Sequence, residues 1–105
     1  MSAFSNVSAT GIGTTPSTLF TATAKTVVIG CNVSNVINQT VPINIILNDG
    51  SNDVHIKKNF RIENGFSDEI MRGNKIVLDV GDSIKASAAI DSSVDVVLSL
   101  LTGVN

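Results

Sequence analysis

The chain contains no tryptophan and no tyrosine, and its aromatic residues are four phenylalanines. That removes the flat platforms on which sugar rings and unstacked bases rest. A single cysteine, Cys31, excludes an internal disulfide framework, and a reducing compartment at synthesis is the simplest expectation. The one histidine, His55, has no serine, cysteine and carboxylate pattern around it from which a triad could be assembled. A net charge of −2 offers no basic field for a nucleic-acid backbone. No apolar run approaches the roughly 20 residues of a membrane-crossing helix. The start, Met1 to Asn6, lacks a basic segment and a continuous apolar one, so no signal peptide is expected there.

Charge is the most unevenly missing property. Lys25 is the only charged residue in the first 48 positions, and every other one lies between Asp49 and Asp95. Soluble surfaces normally intersperse both signs. Here Ser, Thr, Asn and Gly take their place over the front half. Such a surface is wetted but has little that repels other protein, which suits a subunit of an assembly.

What is present is β-forming. Val and Ile supply 25 residues and Thr nine, the types whose branched Cβ favours strands. Beyond Pro16 the apolar period is two. Thr18–Thr21 is a short strand. Val27, Ile29, Cys31 and Val33 make one inward row, and Val41, Ile43, Ile45 and Leu47 the next. Pro42 cannot donate to a ladder, so an edge is expected there. Asn48-Asp49-Gly50 reads as a hairpin turn. Val54, Ile56, Phe60 and Ile62 return, with a bulge expected near Lys58. Phe66–Met71 fits no period. Ile76–Leu78, Ile84–Ile90 and Val94–Leu101 complete the set.

Turns at roughly ten-residue spacing predict an all-β fold: one antiparallel β-sandwich, jelly-roll or immunoglobulin-like, of seven to eight strands. The expected core is Ile29, Cys31, Val33, Ile43, Ile45, Ile84, Leu98 and Leu100. Residues 1–16, rich in Ser, Thr and Gly, read as an extended N-terminal arm, and residues 17–105 as the sandwich domain. The arm is expected to be ordered by contacts outside its own subunit, anchored by Phe4, Val7 and Ile12. Val28, Ile46, Val97 and Leu101 fall on the second, outward face, and with the arm they form the expected partner-binding set.

Chemistry finds no foothold in the pattern. His55 alternates outward beside Lys57. Cys31 falls in an apolar row, where free cysteine behaves as a small hydrophobe. The oxygens of Asn48–Asp53 fail the spacing of a calcium loop. Asp68-Glu69 and Asp79/Asp82 read as turn residues. No catalytic, metal or cofactor residue is therefore expected, and the reading is of a non-enzymatic chain.

One further pattern is Thr18-Leu19-Phe20-Thr21-Ala22, then Val27-Val28-Ile29-Gly30-Cys31-Asn32-Val33-Ser34-Asn35. Lys75-Ile76-Val77-Leu78-Asp79-Val80-Gly81-Asp82-Ser83-Ile84-Lys85-Ala86 and an Asp95-Val96-Val97-Leu98-Ser99 ending follow. Over residues 18 to 101 this resembles small β-sandwich virion proteins of tailed bacteriophages, and it departs from them at Phe66–Gly73. The resemblance implies a structural protein located on the virion, expected on the capsid surface as a decoration or cement subunit. Its partners would be the major capsid protein or other virion proteins, and it would be a homo-oligomer in the particle, without nucleic acid or membrane. A tail, neck or fibre-base protein is the alternative of the same kind, and a carbohydrate-binding adhesin module the alternative of another.

Overall fold

The computed structural model describes residues 3–103. They form nine strands: β1 (Ala3–Ile12), β2 (Ser17–Thr21), β3 (Thr26–Asn35), β4 (Val41–Asn48), β5 (Asp53–Ile62), β6 (Ser67–Glu69), β7 (Ile76–Leu78), β8 (Ser83–Ala88) and β9 (Val94–Thr102). One sheet runs β1-β9-β3-β6, with β7 also on β3, and the other runs β2-β8-β4-β5. All pairs are antiparallel. β6 and β7 share one edge of β3 and act as a single interrupted strand. Two four-stranded sheets joined mostly by crossovers from one to the other make a jelly-roll. The all-β sandwich expected from the period-two rows is therefore present.

Buried side chains from both sheets fill the space between them. β3 and β9 give Val28, Cys31, Val33, Val94, Val96, Leu98 and Leu100. β4 and β8 answer with Val41, Ile43, Ile45, Ile84, Ala86 and Ala88. Seven of the eight expected core residues lie here. Ile29 does not, because β3 shifts register against β9 between Val28 and Gly30. A one-residue slip turns side chains to the other face. Val28, expected outside, is consequently in the core, and Val27, expected inside, points out. On its other edge β3 has no strand beside it between β6 and β7, and Glu69 fills that gap. Its Oε1 accepts from Cys31 N at 2.6 Å, and its Oε2 from Arg72 N at 2.6 Å.

β5 is irregular in the same way. Ile43 opposes Phe60 while Ile45 opposes Lys57, so the bulge falls where it was expected, and Asn59 adopts φ 52°. Asn44 Oδ1 accepts from Asn59 N at 3.0 Å, while its Nδ2 donates to Ser87 Oγ at 3.1 Å. In this bulge a side chain replaces the missing ladder bond. The expected Asp49-Gly50 hairpin turn is present, with Gly50 at φ 97°. Pro42 does not mark an edge strand. β4 is central, but its ladder with β8 begins only at Ile43, so the missing donor costs nothing there.

The expectation of an arm over residues 1–16 ordered from outside its own subunit is likewise corrected for the described part, since residues 1 and 2 lie outside the described residues. Ala3–Ile12 is strand β1, in register with β9 from Ala3↔Thr102 to Ala9↔Val96. Its end is pinned by two carboxylates. Asp95 Oδ1 accepts from Gly11 N at 3.0 Å. Asp91 Oδ1 accepts from Thr14 N at 2.8 Å and from Thr14 Oγ1 at 3.0 Å. A Cβ on Gly13 would collide with that same carboxylate oxygen.

The Thr14 amide, and then its hydroxyl, hold Asp91 below the usual carboxylate range. The amides of Asn52 and Ser51 do the same for Asp49. Asp53 is lowered by the Asn48 side chain and Lys85. A lowered folded-state pKa gives stability that is complete above the unfolded value, about 3.9, and is lost as pH falls through the folded one. Thermal melts should therefore hold near neutrality and drop on acidification below about pH 4. Asp91→Asn should flatten that drop and lower the neutral-pH melting temperature. Wild-type protein melting equally well at pH 2 and pH 7 would contradict the assignment.

Candidate functional site

Opposed residues of an antiparallel sheet share a face, so the register fixes what the outer side of the β1 sheet displays. β9 alternates Val94, Val96, Leu98 and Leu100 inward with Asp95, Val97, Ser99 and Leu101 outward. Phe4 opposes Leu101, Leu101 opposes Val27, and Val27 opposes Val77. Four apolar side chains thus form one straight row across β1, β9, β3 and β7, spanning about 14 Å at normal strand spacing. Phe4 is 77% exposed and Val77 56%, with Leu101 and Val27 half-buried between them. The row beside it is Asn6, Ser99 and Gly30, small and uncharged. The exposed ion pair of Lys25 and Asp79, 3.6 Å apart, stands beyond the row's β3–β7 end and contributes little to stability.

A continuous apolar row on an outer face is a feature that protein contacts use, whereas isolated surface aliphatics need no explanation. Its chemistry is limited to burial, and it contains no nucleophile, acid or base.

The residues expected to bind partners divide three ways. Phe4, Leu101 and Val97 do face outward, Val97 from the same strand as Leu101. Ile12 and Val28 are in the core and cannot anchor an outside contact as expected, while Val7 packs against the core from the inner face of β1 and is only partly covered. Ile46 is buried as well, though outside the main core. It lies on the outer side of the second sheet between its directly opposed neighbours His55 and Lys85. Val27 and Val77 were not singled out from sequence, because their place in the row depends on the β3 bulge and on β7 lying beside β3.

Elsewhere the titratable groups are dispersed. His55 is exposed on β5, as its alternation implied. The Cys31 thiol is pushed up to about 12, first by burial and then by the negative charge of Glu69, which makes it a poor nucleophile. Among the described residues no group of three or more His, Cys, Asp or Glu is placed to hold a metal ion. A depression lined by Arg61, Ile62, Glu63, Phe66, Ser67 and Asp68 has no buried charged side chain, and Asp68 there is already paired with Arg72 at 3.1 Å. No helix of the described residues is long and apolar enough to cross a membrane.

No protein-family model matches the chain, and no curated protein is similar to it in sequence. A solved structure is similar in fold: Bacillus endospore appendages, described as a novel family of disulfide-linked pili. It has a TM-score of 0.58 over 100% of this chain and 88% of that one, at 7% identity. At that identity the likeness concerns the sandwich fold alone.

Proposed function

We propose that this chain is a non-enzymatic structural subunit of a tailed-phage virion, a capsid decoration or cement protein that works by protein–protein contact. The observation that carries the reading is the uncharged row of Phe4, Leu101, Val27 and Val77 across the outer face of the β1 sheet. Placed against a major capsid protein, the row gains the transfer free energy of its exposed carbons without any buried-charge penalty. The chain then stabilises the shell by linking its neighbours, and no turnover is involved. The resemblance of residues 18 to 101 to small phage virion proteins supports the virion setting.

The experiment is a mass-spectrometric count of this chain in purified particles, paired with a Phe4→Ser/Val77→Ser variant. A decoration protein should appear at a copy number matching the shell lattice, and a tail or neck piece at a small multiple of the tail symmetry. Both side chains are exposed, so the variant should fold normally. It should bind particles roughly a hundredfold more weakly, since two such side chains contribute about 3 kcal/mol when buried. Binding should change little with salt, because no charges are used. A variant that binds as well as wild type would refute the row as the contact.

A filament-forming role is the second reading, supported by the fold likeness to a pilus structure. Disulfide linkage through Cys31 is not open to it, because that thiol is 1% exposed. Electron microscopy of the concentrated pure chain separates the two readings, since a decoration protein alone forms no filaments.

A further inference from the structure

An open strand edge presents unpaired amide and carbonyl groups, and natural proteins blunt such edges with charge, proline, bulges or shortness. Among the described strands, β1 and the β6/β7 pair border one sheet, and β2 and β5 the other. β6 and β7 are three residues each, and Asp68 and Glu69 sit on β6. β5 carries Lys57, Lys58 and Arg61 and is bulged. β2 is five residues long and shifts register between Thr18 and Phe20. β1 has none of these devices over most of its length. It runs ten residues without charge or proline, and its ladder with β9 is regular from Ala3 to Ala9.

The inner side of this edge is also unfinished. Val7 and Ala9 pack against the core but remain only partly covered, while Asn6, Ser8 and Thr10 on the other side are exposed. A strand laid alongside would extend the ladder and close the margin of the core together. That strand must be extended and uncharged over the same length, and its own edge must be free. Within this chain β1 itself is the described strand that meets all three conditions, because β3, β4, β8 and β9 are already paired on both sides.

We propose that β1 pairs antiparallel with β1 of a second copy, about a two-fold axis at Val7, joining the two β1-edged sheets into one continuous sheet. The register follows from matching faces. Centring on Val7 sets Val7 against Val7, Ser5 against Ala9, Asn6 against Ser8 and Phe4 against Thr10. The inner row Cys31–Leu98–Val7 then continues through Val7, Leu98 and Cys31 of the second copy. Centring on Asn6 would set each Val7 against Ser5, and centring on Ser8 would set it against the smaller Ala9. On the outer side the opposed Asn and Ser side chains can hydrogen-bond across the seam. Isologous pairing of this kind closes as a dimer and does not propagate. It holds or fails independently of the virion setting.

Sedimentation velocity on the purified chain tests it. At about 100 µM, where mass action favours association, the wild-type mass should be twice that of the monomer. Asn6→Lys/Ser8→Lys places charges on two exposed positions that face each other across the seam. This variant should be monomeric, with unchanged circular dichroism. Under mild oxidation Val7→Cys should give an interchain disulfide, whereas Ala3→Cys, far from the axis, should not. A monomeric wild type, or a lysine variant that remains dimeric, would overturn the pairing. A dimer that cross-links through Ala3→Cys and not through Val7→Cys would overturn the register.

Discussion

Leu98→Ala is expected to lower the unfolding free energy by about 2–5 kcal/mol, the range for truncating a fully buried leucine. Leu98 is 1% exposed in the middle of β9, with Val7 and Cys31 directly opposite on its two neighbouring strands. Its side chain meets the isoleucine-rich second sheet across the sandwich. Ladder bonds on both sides hold β9 in place, so the backbone cannot close over the lost methyl groups and most of the cavity persists. A domain of this size has about 5–15 kcal/mol in total, so the loss is a large fraction of it. Val97→Ala is the internal control. Val97 is the adjacent residue but points outward at 38% exposure, and its removal should cost less than about 1 kcal/mol. Urea denaturation of the two variants checks both values. Equal costs would mean that β9 does not present alternate residues to the core.

Alternation made most of this core readable. Cys31, Val33, Ile43, Ile45, Ile84, Leu98 and Leu100 follow from the period-two rows and are buried. What escaped has a common cause in backbone irregularity. The β3 bulge exchanges the faces of Val27 and Val28, and alternation carries no mark of it, since Val27-Val28-Ile29 is apolar on either reading. Ile70 and Met71 are both buried, although neighbours in a strand would alternate. They lie in a turn packed against the core, which explains why Phe66–Met71 fitted no period. The linker-like composition of β1 points to an arm ordered only by contacts outside its own subunit. Its order comes instead from the ladder with β9 and from Asp91 and Asp95, partners more than seventy residues along the chain. The candidate row was legible only in part. Phe4 and Leu101 could be singled out, but their alignment with Val27 and Val77 depends on the lateral order of four strands.

Asn35→Ala is the second substitution expected to have a large effect, about 2–3 kcal/mol, from unpaired backbone groups and not from lost volume. Asn35 ends β3 and is 5% exposed. Its Nδ2 donates to Gln39 O at 2.7 Å and to Ile62 O at 2.9 Å, and its Oδ1 accepts from Ile37 N at 2.9 Å. The bond to Ile37 is an Asx turn that starts the β3–β4 loop. The bonds to Gln39 and Ile62 tie that loop to the end of β5, across the two sheets. Among the described residues no buried side-chain polar atom lacks a partner, so the native state has no deficit to set against the new one. Alanine leaves the Ile37 amide without its side-chain acceptor and takes a donor from the Gln39 and Ile62 carbonyls. The Ile62 carbonyl keeps the ladder with Val41 opposite it, and water can reach exposed Gln39, so the cost falls mainly on the half-buried Ile37 amide and on the lost tie between the loop and β5. Asn32→Ala is the matched control. That side chain is only half-buried, and its Nδ2 makes a long 3.4 Å bond to Ser34 Oγ, so the change should stay within about 0.5 kcal/mol. Denaturant unfolding gives both values, and hydrogen exchange at the Ile37 amide localises the effect, because that amide loses its only side-chain acceptor. If Asn35→Ala unfolds at the wild-type midpoint with Ile37 still protected, the side chain is not what holds the two sheets together at this end.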